Sequence, residues 1–224
     1  MISFHQVSKV YPGRQEALRN VDLQIDREDM VFITGHSGAG KSTLLRLIGM
    51  IERHSRGQLL VDGYNLDRLS HRQIPHFRRN IGFIFQDHRL LRDRTVFDNV
   101  ALPLVIAAHP RQEITRRVRA ALDKVGLLHK ERAYPVTLSS GEQQRVGIAR
   151  AVVNKPKIVL ADEPTGNLDP DLSIEIMQLF ESFSQVGVTL VIVSHDLEMV
   201  RSLGKRTITL KDGAVVDDGV ERLH

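Results

Sequence analysis

The run GHSGAGKS, Gly35 to Ser42, limits what this chain can fold into more than any other stretch. It fits G-x-x-x-x-G-K-[ST] at every fixed position, a pattern whose backbone N–H groups wrap a phosphate chain. Such a loop needs a strand before it and a helix after it. The flanks supply both. MVFIT (30–34) is a short apolar run that reads as a buried strand, and KSTLLRLIGMI has helical spacing. Gly35, His36, Ser37, Gly38, Ala39, Gly40, Lys41, Ser42 and Thr43 are therefore candidate phosphate-binding residues. Lys41 is placed to reach the β- and γ-phosphates and the Ser42 hydroxyl to ligate Mg2+.

The rest of the chain alternates between strands and helices. Residues 2–7, 18–25, 57–63, 81–86, 157–164 and 188–195 read as strands, and DLSIEIMQLFESFSQVG as an amphipathic helix. Asp212-Gly213 between two β-rich runs signals a hairpin. From Asp87 to about Leu138 the pattern is helical, with no strand. The expected layout is one domain over residues 1–224. Residues 1–86 and 157–224 form an α/β core, and 87–156 an inserted helical lobe. Strand–helix alternation implies a mainly parallel sheet covered on both faces, with ligands at the carboxyl ends of its strands. The motifs at Gly35, Asp162 and His195 all follow such strands.

Composition narrows the function. With 224 residues, 42% hydrophobic and 26% charged, the chain can bury a full core without staples. It has no cysteine, which excludes disulfides, thiolate zinc sites and cysteine nucleophiles. The net charge of +4 is spread along the chain, and basic runs such as EITRRVRAALDK interleave acids with few aromatics. They read as solvated helix faces, so no nucleic-acid partner is expected. The N-terminus lacks the pattern of a signal peptide. The longest apolar run, VALPLVIAA, is about half a bilayer span and contains Pro103. Any membrane role is expected to come through a partner.

Further motifs carry chemistry. In IVLADE, Asp162 ends a strand and can hold Mg2+, while Glu163 can orient the attacking water and accept its proton. His195, after VIVS, can hydrogen-bond the γ-phosphate or the water, and the Gln86 amide can reach Mg2+ or the water. Tyr11 can stack on adenine. Together these read as a Mg2+-dependent nucleoside triphosphatase, with Lys41, Gln86, Glu163 and His195 as catalytic candidates. LSSGEQQR is a second anion grip, a helix start with free N–H groups, the Ser139 hydroxyl and flexible Gly141. It lies far along the chain from Gly35. A two-fold, head-to-tail dimer satisfies both grips, each tip closing over the other chain's γ-phosphate.

This order of motifs resembles the ATP-binding cassette (ABC) ATPases over nearly the whole chain. Tyr11 matches the adenine-stacking aromatic, GHSGAGKS the Walker A loop, Gln86 the Q-loop and LSSGE the signature. IVLADE matches Walker B, GNLD (166–169) the D-loop and His195 the switch histidine. The resemblance implies an antiparallel N-terminal β portion, ATP and Mg2+ as cofactors, and Glu163 as catalytic base. It also implies that Ser139, Gly141 and Glu142 meet the opposite nucleotide and that Asp169 lines the dimer interface. FIFQDHRLLRDRTVFDNVALPL, GEQQRVGIARAVVNKP and LADEPTGNLD resemble the bacterial cell-division members of the family. That implies a polytopic inner-membrane partner, indirect control of periplasmic wall-hydrolase activators, and a peripheral place on the cytoplasmic face at the septum. Lipoprotein-release and macrolide-export ATPases share the same grips and are the alternative. One departure stands out: position 140 is Ser where the usual signature has glycine. If that position needs positive φ, serine costs on the order of 1 kcal/mol.

Overall fold

The computed structural model describes residues 1–13, 15–166 and 168–220. Its strands are β1 (Ile2–Tyr11), β2 (Gln15–Ile25), β3 (Met30–Thr34), β4 (Arg56–Val61), β5 (Tyr64–Asn65), β6 (Ile81–Ile84), β7 (Ile158–Asp162), β8 (Thr189–Val193), β9 (Arg206–Lys211) and β10 (Ala214–Val220). Its helices are α1 (Lys41–Ile48), α2 (Ile74–Arg78), α3 (Val96–Ile106), α4 (Arg111–Lys124), α5 (Ser140–Val152), α6 (Pro170–Ser184) and α7 (Leu197–Leu203).

The strands form two sheets. An antiparallel sheet runs β2-β1-β4-β5, and a six-stranded sheet runs β10-β9-β3-β8-β7-β6. In the second, β9, β3, β8, β7 and β6 are parallel and β10 returns antiparallel on β9. Asp212 (φ 49°) and Gly213 (φ 81°) make the turn between β9 and β10. Two successive positive φ values match the twist of the strands they join.

β3 and β8 are buried at every position, which explains why their sequences do not alternate. Their residues nonetheless divide between two faces. Val31, Ile33, Leu160, Val191 and Val193 pack with α1 and the antiparallel sheet. Phe32, Val159, Ala161, Leu190 and Ile192 pack with residues of α3, α4, α5 and α6. Successive side chains point to opposite faces, so one sheet serves both cores. Among the described residues no strand lies between Ile84 and Ile158, and α3, α4 and α5 fill that interval. Helices α2 and α7 were not expected; at five and seven residues they are too short to show periodicity.

Asn99 of α3 closes the loop that leads into the helical region. It is fully buried. Its Oδ1 accepts the Leu91 N–H at 2.7 Å, and its Nδ2 donates to the carbonyls of Leu91 (3.0 Å), Arg94 (3.3 Å) and Thr95 (2.9 Å). Asn99→Ala removes all four bonds and leaves the Leu91 N–H without its acceptor, while the Leu91 and Thr95 carbonyls keep backbone donors. It should cost about 2–3 kcal/mol, read as a lower urea midpoint at unchanged m.

Candidate functional site

A cleft of about 870 Å3 opens where β3, β7 and β8 end, and it gathers Tyr11, Lys41, Ser42, Gln86, Glu163 and His195. The loop from Gly35 to Gly40 is set by three left-handed glycines, Gly35 (φ 137°), Gly38 (φ 79°) and Gly40 (φ 105°). A Cβ on Gly35 would lie 2.1 Å from the Leu210 carbonyl oxygen, and one on Gly40 2.4 Å from that of Ala17. Neither position tolerates a side chain. Lys41 is 8% exposed, and its Nζ donates to the carbonyls of Gly35 (2.7 Å) and His36 (3.0 Å). An ammonium has three donors, so one remains for a ligand. Ala39 is fully buried under the loop, while His36 is half exposed, with its Nδ1 2.7 Å from the Ser37 carbonyl.

The Ser42 hydroxyl, on the first turn of α1, donates to Asp162 Oδ1 at 3.0 Å. Burial pushes the Asp162 carboxyl above the ordinary range; the Ser42 bond opposes that and the neighbouring Glu163 charge adds to it. A hydroxyl and a carboxylate at this spacing are hard oxygen donors of the kind Mg2+ takes, and a cation there would relieve the carboxylate's desolvation. Glu163 has φ 48°, a conformation that non-glycine residues hold only when their surroundings impose it. Its Oε2 accepts from Gln86 Nε2 at 3.0 Å and lies 3.3 Å from His195 Nδ1. The two side chains grip one carboxylate oxygen from opposite segments.

Tyr11 ends β1, with its hydroxyl 3.3 Å from Thr43 Oγ1 and the Lys9 ammonium 4.9 Å from its ring centroid. Burial raises its phenol above the ordinary value. The cleft also holds residues that no motif named. Gln15, Glu16 and Ala17 follow the Pro12-Gly13 turn, and Thr34 and Thr209 join their hydroxyls at 3.1 Å. Thr34 meets Thr209 only because β3 and β9 pair in that register.

The second grip is elsewhere. Neither Ser139, Ser140 nor Gly141 lines the cleft. Ser139 is the N-cap of α5. Its Oγ accepts the Glu142 N–H at 3.3 Å, and Glu142 Oε2 accepts the Ser139 N–H at 3.0 Å, a complete capping box. The hydroxyl that accepts this bond keeps its own proton to donate. Ser140 is in the first turn of α5 and is not among the positive-φ residues, so the feared strain is not incurred. Gly141 is buried, and a Cβ there would lie 2.1 Å from the tip of the Leu172 side chain, so a larger residue needs Leu172 to shift. The Leu172 N–H is bonded at 2.9 Å to Asp169, the N-cap of α6. Asn167, within GNLD, lies outside the described residues.

Among the described residues, no helix is long and apolar enough to cross a membrane. A family model described as ABC transporter matches residues 18–166. The chain is 57% identical over 213 residues to the cell division ATP-binding protein FtsE of Escherichia coli (strain K12), covering 95% of this chain and 96% of that one. It is 44% identical over 218 residues to the FtsE of Bacillus subtilis (strain 168), covering 97% and 96%. Among solved structures it superimposes on the dimeric, post-hydrolysis state of the ATP-binding cassette MJ0796 bound to ADP and Pi. That TM-score is 0.92, at 37% identity, with both chains fully covered.

Lys130 and the Ser139 N–H hold the Glu142 carboxyl below the ordinary range. A depressed folded pKa adds stability above the unfolded value of about 4.3 and loses it as pH falls through the folded one. Glu142→Gln should therefore lower the urea midpoint equally at pH 7 and pH 5, and the difference from wild type should close only below about pH 4.

Proposed function

Because the chain belongs to the ABC transporter family, we propose that it is a Mg2+-dependent ATPase that closes as a two-fold homodimer around ATP. We further propose that it works a polytopic membrane partner of the FtsX kind in bacterial cell division. The observation that carries the catalytic part is one cleft that joins the phosphate loop, Ser42 and the Gln86–Glu163–His195 cluster, with Asp162 bonded to the Ser42 hydroxyl.

In this reading the loop N–H groups and Lys41 hold the triphosphate, and the Tyr11 ring receives the adenine. Ser42, Asp162 and Gln86 would hold Mg2+, which supplies charge compensation for the phosphate oxygens. Glu163 accepts the proton of the attacking water, while Gln86 and His195 keep its carboxylate aimed. Positioning and charge stabilisation carry most of the rate.

The dimer follows from what the cleft lacks. The Ser139 tip is outside it, exposed, with a donor to spare. A second copy can bring that tip to the open side of the γ-phosphate, with Gly141 and Glu142 setting its position and Asp169 at the interface. The dimeric cassette relatives support this arrangement.

The membrane part rests on relatives carrying the cell-division name and on a groove of about 360 Å3. Ile81, Phe83, Leu102, Pro103 and Ile106 line it beside Arg150. Within residues 90–104, Val96, Val100, Ala101 and Leu104 are buried in the core and Leu91 is exposed away from the groove lining, while Leu102 and Pro103 line the groove and face a partner's cytoplasmic helix in this reading. The partner would place this chain on the cytoplasmic face at the septum and pass its motion to periplasmic wall-hydrolase activators.

Lys41→Ala should abolish measurable ATP binding, since the loop then lacks its only cation; retained affinity in a fluorescent-nucleotide titration contradicts that role. Glu163→Gln should bind ATP and elute as a dimer in size-exclusion chromatography with ATP, and a monomer under saturating ATP counts against the shared site. Tyr11→Ala should weaken ATP binding by roughly 1–3 kcal/mol.

A further inference from the structure

The segment after Gln86 is held in a shape that its own residues do not favour. His88 (φ 56°) and Arg89 (φ 46°) are successive left-handed residues, and neither is glycine. Two supports keep them there. On one side, Arg150 of α5 spreads its guanidinium over both carbonyls, Nη2 to His88 and Nη1 to Arg89, each at 2.6 Å. Gln144, also on α5 and 2% exposed, places its Oε1 2.6 Å from His88 Nδ1. On the other side, the Arg89 guanidinium lies 4.2 Å from the Phe85 ring centroid, and Phe85 stacks on Phe83 at 4.3 Å. Gln86, whose amide holds Glu163, sits inside this elbow.

The helix that grips the elbow is the one whose tip is Ser139. Ser139, Gln144 and Arg150 therefore stand on one helix. Burial depresses the Arg150 guanidinium, and the nearby Asp87 charge opposes that. A guanidinium is suited to the task because its fork meets two carbonyls at once, which an ammonium cannot do in the same geometry.

We propose that Arg150, assisted by Gln144, is a positioning residue for ATP hydrolysis: by clamping the left-handed His88–Arg89 pair it aims Gln86 at Glu163, so the hydrolytic cluster is set only while α5 is in place. Arg150 does not line the cleft and acts through Gln86. The inference rests on the proposed role of Gln86 and Glu163 in hydrolysis. Arg150 and Phe83 also line the apolar groove, so a segment seated there bears on both supports of the elbow.

The test is a double-mutant cycle in steady-state ATPase assays of the purified protein. Arg150→Lys keeps the charge and loses the fork. It should lower kcat about tenfold to a hundredfold, with KM for ATP within about threefold of wild type. In a Gln86→Ala background the same substitution should add no further loss, because its route is already cut. Equal fold losses in both backgrounds, or an effect on KM alone, would overturn the clamp while leaving the hydrolytic cluster standing. A Gln86→Ala protein with wild-type kcat would instead remove the reading of the cluster, and the clamp with it. Should thermal unfolding show that Arg150→Lys is poorly folded, Gln144→Ala, which drops the His88 contact from a helix position and leaves the left-handed residues themselves unchanged, carries the same cycle with the same two outcomes.

Discussion

Two carbonyl oxygens, those of Leu210 and Ala17, press on the phosphate loop at Gly35 and Gly40. Leu210 belongs to β9 in the six-stranded sheet and Ala17 to β2 in the antiparallel one. The loop is thus the seam between the two sheets. The β9–β10 turn completes it: the Arg19 N–H reaches the Gly213 carbonyl at 2.8 Å, and the Gly213 N–H reaches that of Ala39 at 3.2 Å. A side chain at either glycine would separate the sheets and disturb the grip at once. Folding and phosphate binding draw on the same few atoms.

From this seam the other functional groups are reached through the register of parallel strands. β8 lies between β3 and β7 and runs parallel to both, so Glu163 and His195 emerge at the mouth of the loop and Asp162 ends β7 beside Ser42. The cluster is self-contained in one respect and incomplete in another. Glu163 has its orienting partners within the chain, yet the cleft offers no donors from the Ser139 tip. That tip is built as an ordinary helix cap whose hydroxyl still has a proton to give. A cap and an anion grip are compatible uses of the same atoms, so local structure does not choose between them, and in the proposed dimer a second copy of the chain supplies the use for the free donor.

The helical region adds a mechanical connection. α5 carries the Ser139 tip at one end and the Arg150 guanidinium near the other, and Arg150 reaches back to the residues just after Gln86. Gly141 lets the start of the same helix sit on Leu172, whose N–H is bonded to Asp169. One rigid element therefore touches both segments that flank the shared nucleotide in the dimer reading. Its stiffness is a matter of backbone hydrogen bonds, and its reach is set by side chains long enough to cross to the core.

By itself the sequence determined what local patterns can specify. The buried strand at 30–34, the glycine loop, the turn at Asp212-Gly213 and the helical interval after Gln86 were all legible, because glycine placement and apolar spacing act over a few residues. So were Tyr11, Lys41, Ser42, Gln86, Glu163 and His195, which the cleft brings together, though not Gln15, Glu16, Ala17, Thr34 and Thr209 beside them. Short elements such as α2 and α7 were not legible, because a helix of five or seven residues shows no period. Only the tertiary structure decided that Thr34 faces Thr209, that Gly141 sits against Leu172, that Ser140 is unstrained, and that Arg150 holds the carbonyls behind Gln86. Each of these depends on two segments distant in sequence meeting in one register, and that choice is made by packing both faces of a single sheet rather than by any residue's own preference.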